Sequence, residues 1–133
     1  MGDAPIEVGP ITVTDIARFA GAGGDFNPLH HDEAVARAAS HPGLIAMGQM
    51  QAGMLARVIT DRFPLADVRE YRVRFKAPVR LGDTLLLTAA ETGRQPVEDG
   101  VLVHLELLAE RDDGITAVTG AAVVFVADVE LGL

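Results

Sequence analysis

A change of hydrophobic period midway along the chain constrains its fold more than any other feature. Up to Arg62 the apolar residues recur every three or four positions, the helical period, whereas from Val68 onward they alternate, the period of a half-buried strand. The second half holds four such runs, at 68–79, 84–91, 101–109 and 115–126. Turn residues separate them: Gly82-Asp83, Glu98-Asp99-Gly100 and Asp112-Asp113-Gly114. No helix-length segment intervenes, so neighbouring runs pair antiparallel, because parallel neighbours need a crossover connection. In the first run Tyr71, Val73, Phe75, Ala77 and Val79 share one face, predicted buried, and Arg72, Arg74, Lys76 and Pro78 the other. The last run is apolar on both faces, which places it centrally in the sheet or at a subunit contact.

The first half reads as helices. Residues 11–13 are a short β-prone segment, and Thr14 with Asp15 suits the start of a short helix running to about Ala20, ended by the Gly-rich stretch 21–24. Asp32 caps a second short helix carrying Ala34, Val35 and Ala38, broken by His41-Pro42-Gly43. A longer helix follows over 48–62, with Met50, Met54, Leu55, Val58 and Ile59 in one stripe. Such a helix spans about 22 Å, enough to cross a small sheet. The expected class is therefore α+β, one long helix on a curved antiparallel sheet. One helix leaves part of the sheet uncovered, and a second copy of the chain is the simplest cover, so a homodimer is expected.

The length of 133 residues suits one domain, 1–133, and 49% apolar with 23% charged residues is a soluble composition. No apolar run is long enough to span a membrane, and Asp3 and Glu7 stand where a signal peptide would be basic, so the expected location is cytoplasmic. The absence of cysteine excludes disulfides, thiolate catalysis and cysteine-ligated zinc. A net charge of −8 argues against nucleic-acid binding through a broad basic surface.

Chemistry concentrates in Gly24-Asp25-Phe26-Asn27-Pro28-Leu29-His30-His31-Asp32. Pro28 fixes its own φ and biases Asn27 away from the helical region, so Asp25 and His30 sit five residues apart on a constrained loop. A carboxylate and an imidazole together can move protons. Gly48 opens the long helix, where unpaired amides and the helix dipole favour an anion or oxyanion. The methionine stripe packs a core or lines a pocket, and both readings stand. A metal site from Asp25, His30, His31 and Asp32 has suitable donors but no further ligand at a telling spacing, so no metal is expected. His31, His41 and His104 read as surface or locally hydrogen-bonded residues.

The run from Gly24 to His30, the alanine-containing short helix after it, and Ile45-Ala46-Met47-Gly48-Gln49-Met50 together resemble the MaoC-like (R)-specific enoyl-CoA hydratases, the hydratase 2 group of hotdog fold. The resemblance extends over nearly the whole chain, including Gly82-Asp83-Thr84 between strands. It implies reversible hydration of trans-2-enoyl thioesters, with Asp25 and His30 as the acid-base pair, Asn27 and Pro28 holding the loop, and the Gly48 amide as oxyanion donor. Coenzyme A or acyl carrier protein would carry the substrate, with no further cofactor. Met47 stands where the family often has His, and Gln49 where Met is more usual. With Met50 and Met54, Met47 would shape an adaptable acyl pocket, suited to bulky or ring-bearing groups such as steroid side chains. Arg72, Arg74 and Lys76, with Arg80 nearby, would meet coenzyme A phosphates, or else form a solvated strand face. Two alternatives remain: a hotdog thioesterase, and a subunit of a heteromeric pair completing a second hotdog chain's acyl pocket. Because Asp25 and His30 are both present, this chain would be the active member of such a pair.

Overall fold

The computed structural model describes residues 5–129, and Asp3 lies outside them. Five strands form one antiparallel sheet: β1 (Ile6–Val8), β2 (Val68–Phe75), β3 (Leu85–Val97), β4 (Gly100–Arg111) and β5 (Thr116–Ala127), in the order β1-β3-β4-β5-β2. Three α-helices precede β2: α1 (Val13–Gly23), α2 (Glu33–Ala38) and α3 (Gly48–Thr60). The alternation expected from sequence sends Leu85, Leu87, Val103, Leu105 and Leu107 into one core with Leu55, Val58 and Ile59 of α3. β5 is flanked on both sides, by β4 and β2, the inner position expected for its apolar run. Tyr71 ties sheet to helix by donating its hydroxyl to the Ala52 carbonyl, and burial pushes its pKa up to about 12. Among the described residues no helix is long and apolar enough to cross a membrane.

Several boundaries differ from the sequence expectation. The 11–13 segment is not a strand, and the first strand lies at Ile6–Val8 instead, pairing with Leu85 to Leu87. Ile11 does make strand-like bonds, its N–H to the Asp83 carbonyl and its carbonyl to the Gly82 N–H, but Thr12 already caps α1. The cap is a capping box: the Thr12 side chain accepts from the Asp15 N–H while the Asp15 carboxylate accepts from the Thr12 N–H. Helix α1 then runs through Gly21 to Gly23, past the expected stop at Ala20. Each helical glycine costs up to about 1 kcal/mol, which a capped helix anchored by buried Ile16 tolerates. It ends at Gly24, whose φ of 67° is left-handed.

β2 stops at Phe75, short of the expected Val79, because the Lys76 and Ala77 amides both turn to the Ala117 carbonyl and Pro78 has no N–H. Phe75, the last residue of β2, keeps its ring against Gly48 of α3 but is 50% exposed at the strand end. β3 extends beyond Glu91 to Val97, through a bulge between Glu91 and Gly93. Its far half has β4 on one side and nothing from β1 on the other, since β1 pairs only with Leu85 to Leu87. Pro96 is tolerated there.

At one end of the sheet Arg80, Asp83, Arg111 and Asp113 form an ion network that closes the loop after β2. Arg80 donates to both carboxylates, and the buried Arg111 guanidinium forks onto Asp113 while also donating to the Pro78 carbonyl. The hydrogen bond from Arg111 holds the Asp113 carboxyl at about 2, below its ordinary 3.8. A carboxyl with a depressed folded-state pKa stabilises the protein above its unfolded pKa and loses that contribution as pH falls through the folded value. The thermal midpoint of wild type is therefore expected to fall toward that of Asp113→Asn between about pH 4 and about pH 2. Melting curves across that range check it, and a gap between the two proteins that stays constant would contradict it.

Candidate active site

The αL turn at Gly24 brings the chain back over α1, and the Asp25 N–H bonds the Ala20 carbonyl at 3.0 Å. Two side chains then fold the loop onto itself. Asp25 Oδ1 accepts the Asn27 N–H at 3.2 Å, and Asn27 Oδ1 accepts the Leu29 N–H at 3.0 Å. Pro28 opens a single 3₁₀ turn, Pro28–His30, that aims His30 inward. The imidazole is 8% exposed, although the loop around it is mostly solvent-facing.

His30 Nδ1 lies 2.7 Å from the Ile45 carbonyl oxygen. A carbonyl only accepts, so Nδ1 carries the proton and Nε2 of the neutral ring offers a lone pair. That lone pair faces Asp25 Oδ2 at 3.6 Å. A carboxylate and an unprotonated nitrogen are both acceptors, so they cannot bond each other directly. A water between them can donate one hydrogen to each.

His30 also lines a cleft of about 460 Å³ with Ile45, Gly48, Gln49, Gln51, Phe75 and Lys76. Its rim is set by the start of α3. Met47 is the N-cap but supplies no side-chain bond to the first turn, so the opening amides of the helix are uncapped. Gly48 permits a close approach: a Cβ there would lie 2.9 Å from the Phe75 ring. The cleft thus presents an imidazole, helix-end amides and an aromatic wall in one space. An acyl thioester of modest size fits such a volume.

The other expected site residues are dispersed. Of the three cations, Lys76 lines this cleft, whereas Arg72 and Arg74 line a separate concavity of about 740 Å³ with Glu70, His104, Glu106 and Thr119. The expected strand face of three phosphate contacts is therefore not continuous with the His30 cleft in a single chain. Arg80 is committed to Asp83 and Asp113. Met47 is buried in the core at 2% exposure, and Met50 and Met54 line an apolar groove with Val8, Pro10, Ile11 and Phe19. None of the three methionines lines the cleft: Met47 is buried just before the helix, and the helix turns Met50 and Met54 toward β1 and α1. His31 is exposed, and Asp32 is spent capping α2 through the Ala34 and Val35 amides. Among the described residues no three His, Asp or Glu side chains gather as metal ligands.

Sequence reasoning missed Ile45, Gln51 and the exposed ring of Phe75. Gln51 was within reach, since it lies four before Leu55 and seven before Val58, on the buried face of the same stripe. Ile45 acts through its backbone, which no side-chain pattern reports. It is held by an isolated bridge to Arg80, with the Ala46 N–H bonding the Val79 carbonyl at 2.8 Å.

Known proteins share both the sequence and the shape. The chain is 39% identical to the (R)-specific enoyl-CoA hydratase of Rhodospirillum rubrum over 88 residues, 65% of this chain and 61% of that protein. It is 40% identical over 87 residues to 3-hydroxyacyl-thioester dehydratase X of Mycobacterium tuberculosis, covering 65% of this chain and 30% of that one. The matched segment thus spans less than two thirds of either relative. The solved structure of the (R)-hydratase of Aeromonas caviae superposes with a TM-score of 0.77 at 26% identity, over 92% of this chain and 96% of that one. The helix and sheet are those of the hotdog fold. Residues 4–111 match the MaoC-like domain, and the chain belongs to that family.

Proposed function

We propose that the chain adds water reversibly to trans-2-enoyl thioesters, giving (R)-3-hydroxyacyl thioesters. The observation that carries this reading is the 3.6 Å separation of two acceptors, Asp25 Oδ2 and His30 Nε2, with the imidazole opening on a cleft that also holds the start of α3. Hydration needs a water oxygen delivered to Cβ, a proton delivered to Cα, and a carbonyl oxygen stabilised as it gains enolate charge. As the water oxygen bonds Cβ, the pair takes up the proton leaving the water and hands it on to Cα, so the pair ends the step with as many protons as it began. Both new bonds form on the face where the water is held, and addition is syn. Dehydration runs the same step backwards.

The Gly48 N–H meets the carbonyl oxygen. A well-placed oxyanion donor is worth about 10²- to 10³-fold in rate, and the uncapped first turn of α3 leaves that amide for a ligand. Asn27 and Pro28 keep the carboxylate in reach of the imidazole. Coenzyme A or acyl carrier protein carries the acyl group with no further cofactor, and Lys76 is the cation suited to the carrier's phosphates. A second copy, or a related hotdog subunit, is the partner this reading expects, because β2 is an open edge of the sheet.

The test follows enoyl-thioester absorbance with short, long and ring-bearing trans-2-enoyl-CoA substrates. Loss of the conjugated band with formation of the (R)-3-hydroxyacyl product is expected. Release of free thiol from a saturated acyl-CoA, without hydration, would make the chain a thioesterase instead.

A further inference from the structure

Gln51 is the one polar side chain in the buried stripe of α3. It is 2% exposed, it lines the same cleft as His30 and Gly48, and its amide nitrogen Nε2 has no hydrogen-bond partner. A buried, unmade hydrogen bond costs about 1–3 kcal/mol, which an apolar residue at this position would avoid. No carbonyl along the cleft wall takes up the donor, and three of them serve other groups. Ile45 accepts from His30 Nδ1, Pro78 from Arg111, and Val79 from the Ala46 N–H. On the helix itself the Ala52 carbonyl accepts from Tyr71. The remaining lining, with Ala46, Phe75 and Ala77, is largely apolar.

The missing acceptor therefore belongs to whatever fills the cleft. Gln51 lies three residues after Gly48, one helical turn along and near the same face, about 5 Å further down the axis. Its side chain is long enough to return toward the helix start. The acceptor that every acyl thioester brings to this end of the cleft is its carbonyl oxygen, whatever the acyl chain. That oxygen has two lone pairs, and a single backbone amide uses one.

We infer that the Gln51 amide is a second hydrogen-bond donor to the thioester carbonyl oxygen, beside the Gly48 N–H. The inference rests on the hydration reading and adds a substrate-touching residue to it. Because the donor serves an oxygen that gains charge during reaction, it stabilises the enolate more than the bound substrate. Its loss falls on kcat more than on KM.

Two variants test it, Gln51→Leu and Gln51→Met, both of which remove the donor and keep apolar bulk. Each is expected to lower kcat for enoyl-CoA hydration about 10²-fold, to leave KM within about threefold, and to melt no lower than wild type, since the buried unpaired amide is gone. A second readout needs no turnover: the infrared carbonyl band of bound butyryl-CoA, labelled with ¹³C at the thioester carbon. Hydrogen bonds lower that frequency, so the band is expected to rise in both variants. A kcat within about twofold of wild type, or a band that does not move, overturns the role of Gln51 while hydration by the wild type stands. A band that rises in the variants, with a wild type that hydrates no enoyl thioester, upholds the Gln51 contact and removes the proposed reaction. A wild type that neither hydrates enoyl-CoA nor binds butyryl-CoA removes both.

Discussion

Asp25→Asn is expected to slow enoyl-thioester hydration by at least about 10²-fold, the usual contribution of a positioned proton-transfer group, and to leave the melting temperature close to that of wild type. The substitution preserves the local fold, because an amide oxygen still accepts the Asn27 N–H as Asp25 Oδ1 does now. What changes is the partner of His30. An amide nitrogen in place of Oδ2 donates to the Nε2 lone pair, so two acceptors separated by 3.6 Å become a donor and an acceptor that bond directly. On the hydration reading this bond takes the place of the water that needs both acceptors. His30→Ala has an effect on rate of at least the same order, about 10²-fold, and in addition frees the Ile45 carbonyl, whose lost bond costs about 1 kcal/mol. Steady-state rates with one enoyl-CoA, paired with thermal melts, separate the two contributions. Near-normal turnover in either variant would take that residue out of the mechanism.

Leu55→Ala is the substitution with the largest expected effect on stability. Leu55 is fully buried where α3 crosses the sheet, in the same core as Leu85, Leu105, Leu107 and Val118. Truncation leaves a cavity and forfeits the burial of the removed carbons, together about 3 kcal/mol in a core that cannot collapse. For a chain of this size that corresponds to a fall in melting temperature of roughly 10 °C. Met54→Ala, on the partly buried flank facing the groove beside β1, is expected to cost less. Differential scanning calorimetry of the pair checks the ranking. Equal losses would mean that Leu55 does not hold the central position which its packing gives it.

The long helix and the four longer strands were legible because their apolar periods are sustained over many residues, and each error fell at an end where a local interaction outweighs the period. Residues 11–13 look like a strand by composition and even bond like one, yet the Thr12 capping box commits the chain to helix within one residue of Ile11. β1 was illegible for the opposite reason: three residues carry too little pattern, and only their pairing with β3 makes them a strand. Phe75 was assigned to the buried face by alternation, and it does lie against Gly48 of α3, but the end of β2 leaves it half exposed on the cleft.

The candidate site divides along the same line. Asp25, Asn27, Pro28 and His30 lie in one short segment, and their spacing and turn chemistry were enough to foresee a shaped loop. The methionines were assigned to the acyl pocket on residue type alone, but direction around α3 decides which of its residues meet the cleft, and it favours Gln51 over Met50 and Met54. The cations were grouped by alternation on one strand, and the end of β2 splits Lys76 from Arg72 and Arg74.

The bridge between Ile45 and Arg80 gives Asp25 and His30 unequal freedom. His30 is fastened through the Ile45 carbonyl to a segment that is itself stitched to residues 79–81, so the imidazole is anchored to the body of the protein. Asp25 stands on a turn held by bonds to its own near neighbours, with its side chain 40% exposed. On the hydration reading the pair is a vice with one static jaw, the imidazole, and one sprung jaw, the carboxylate.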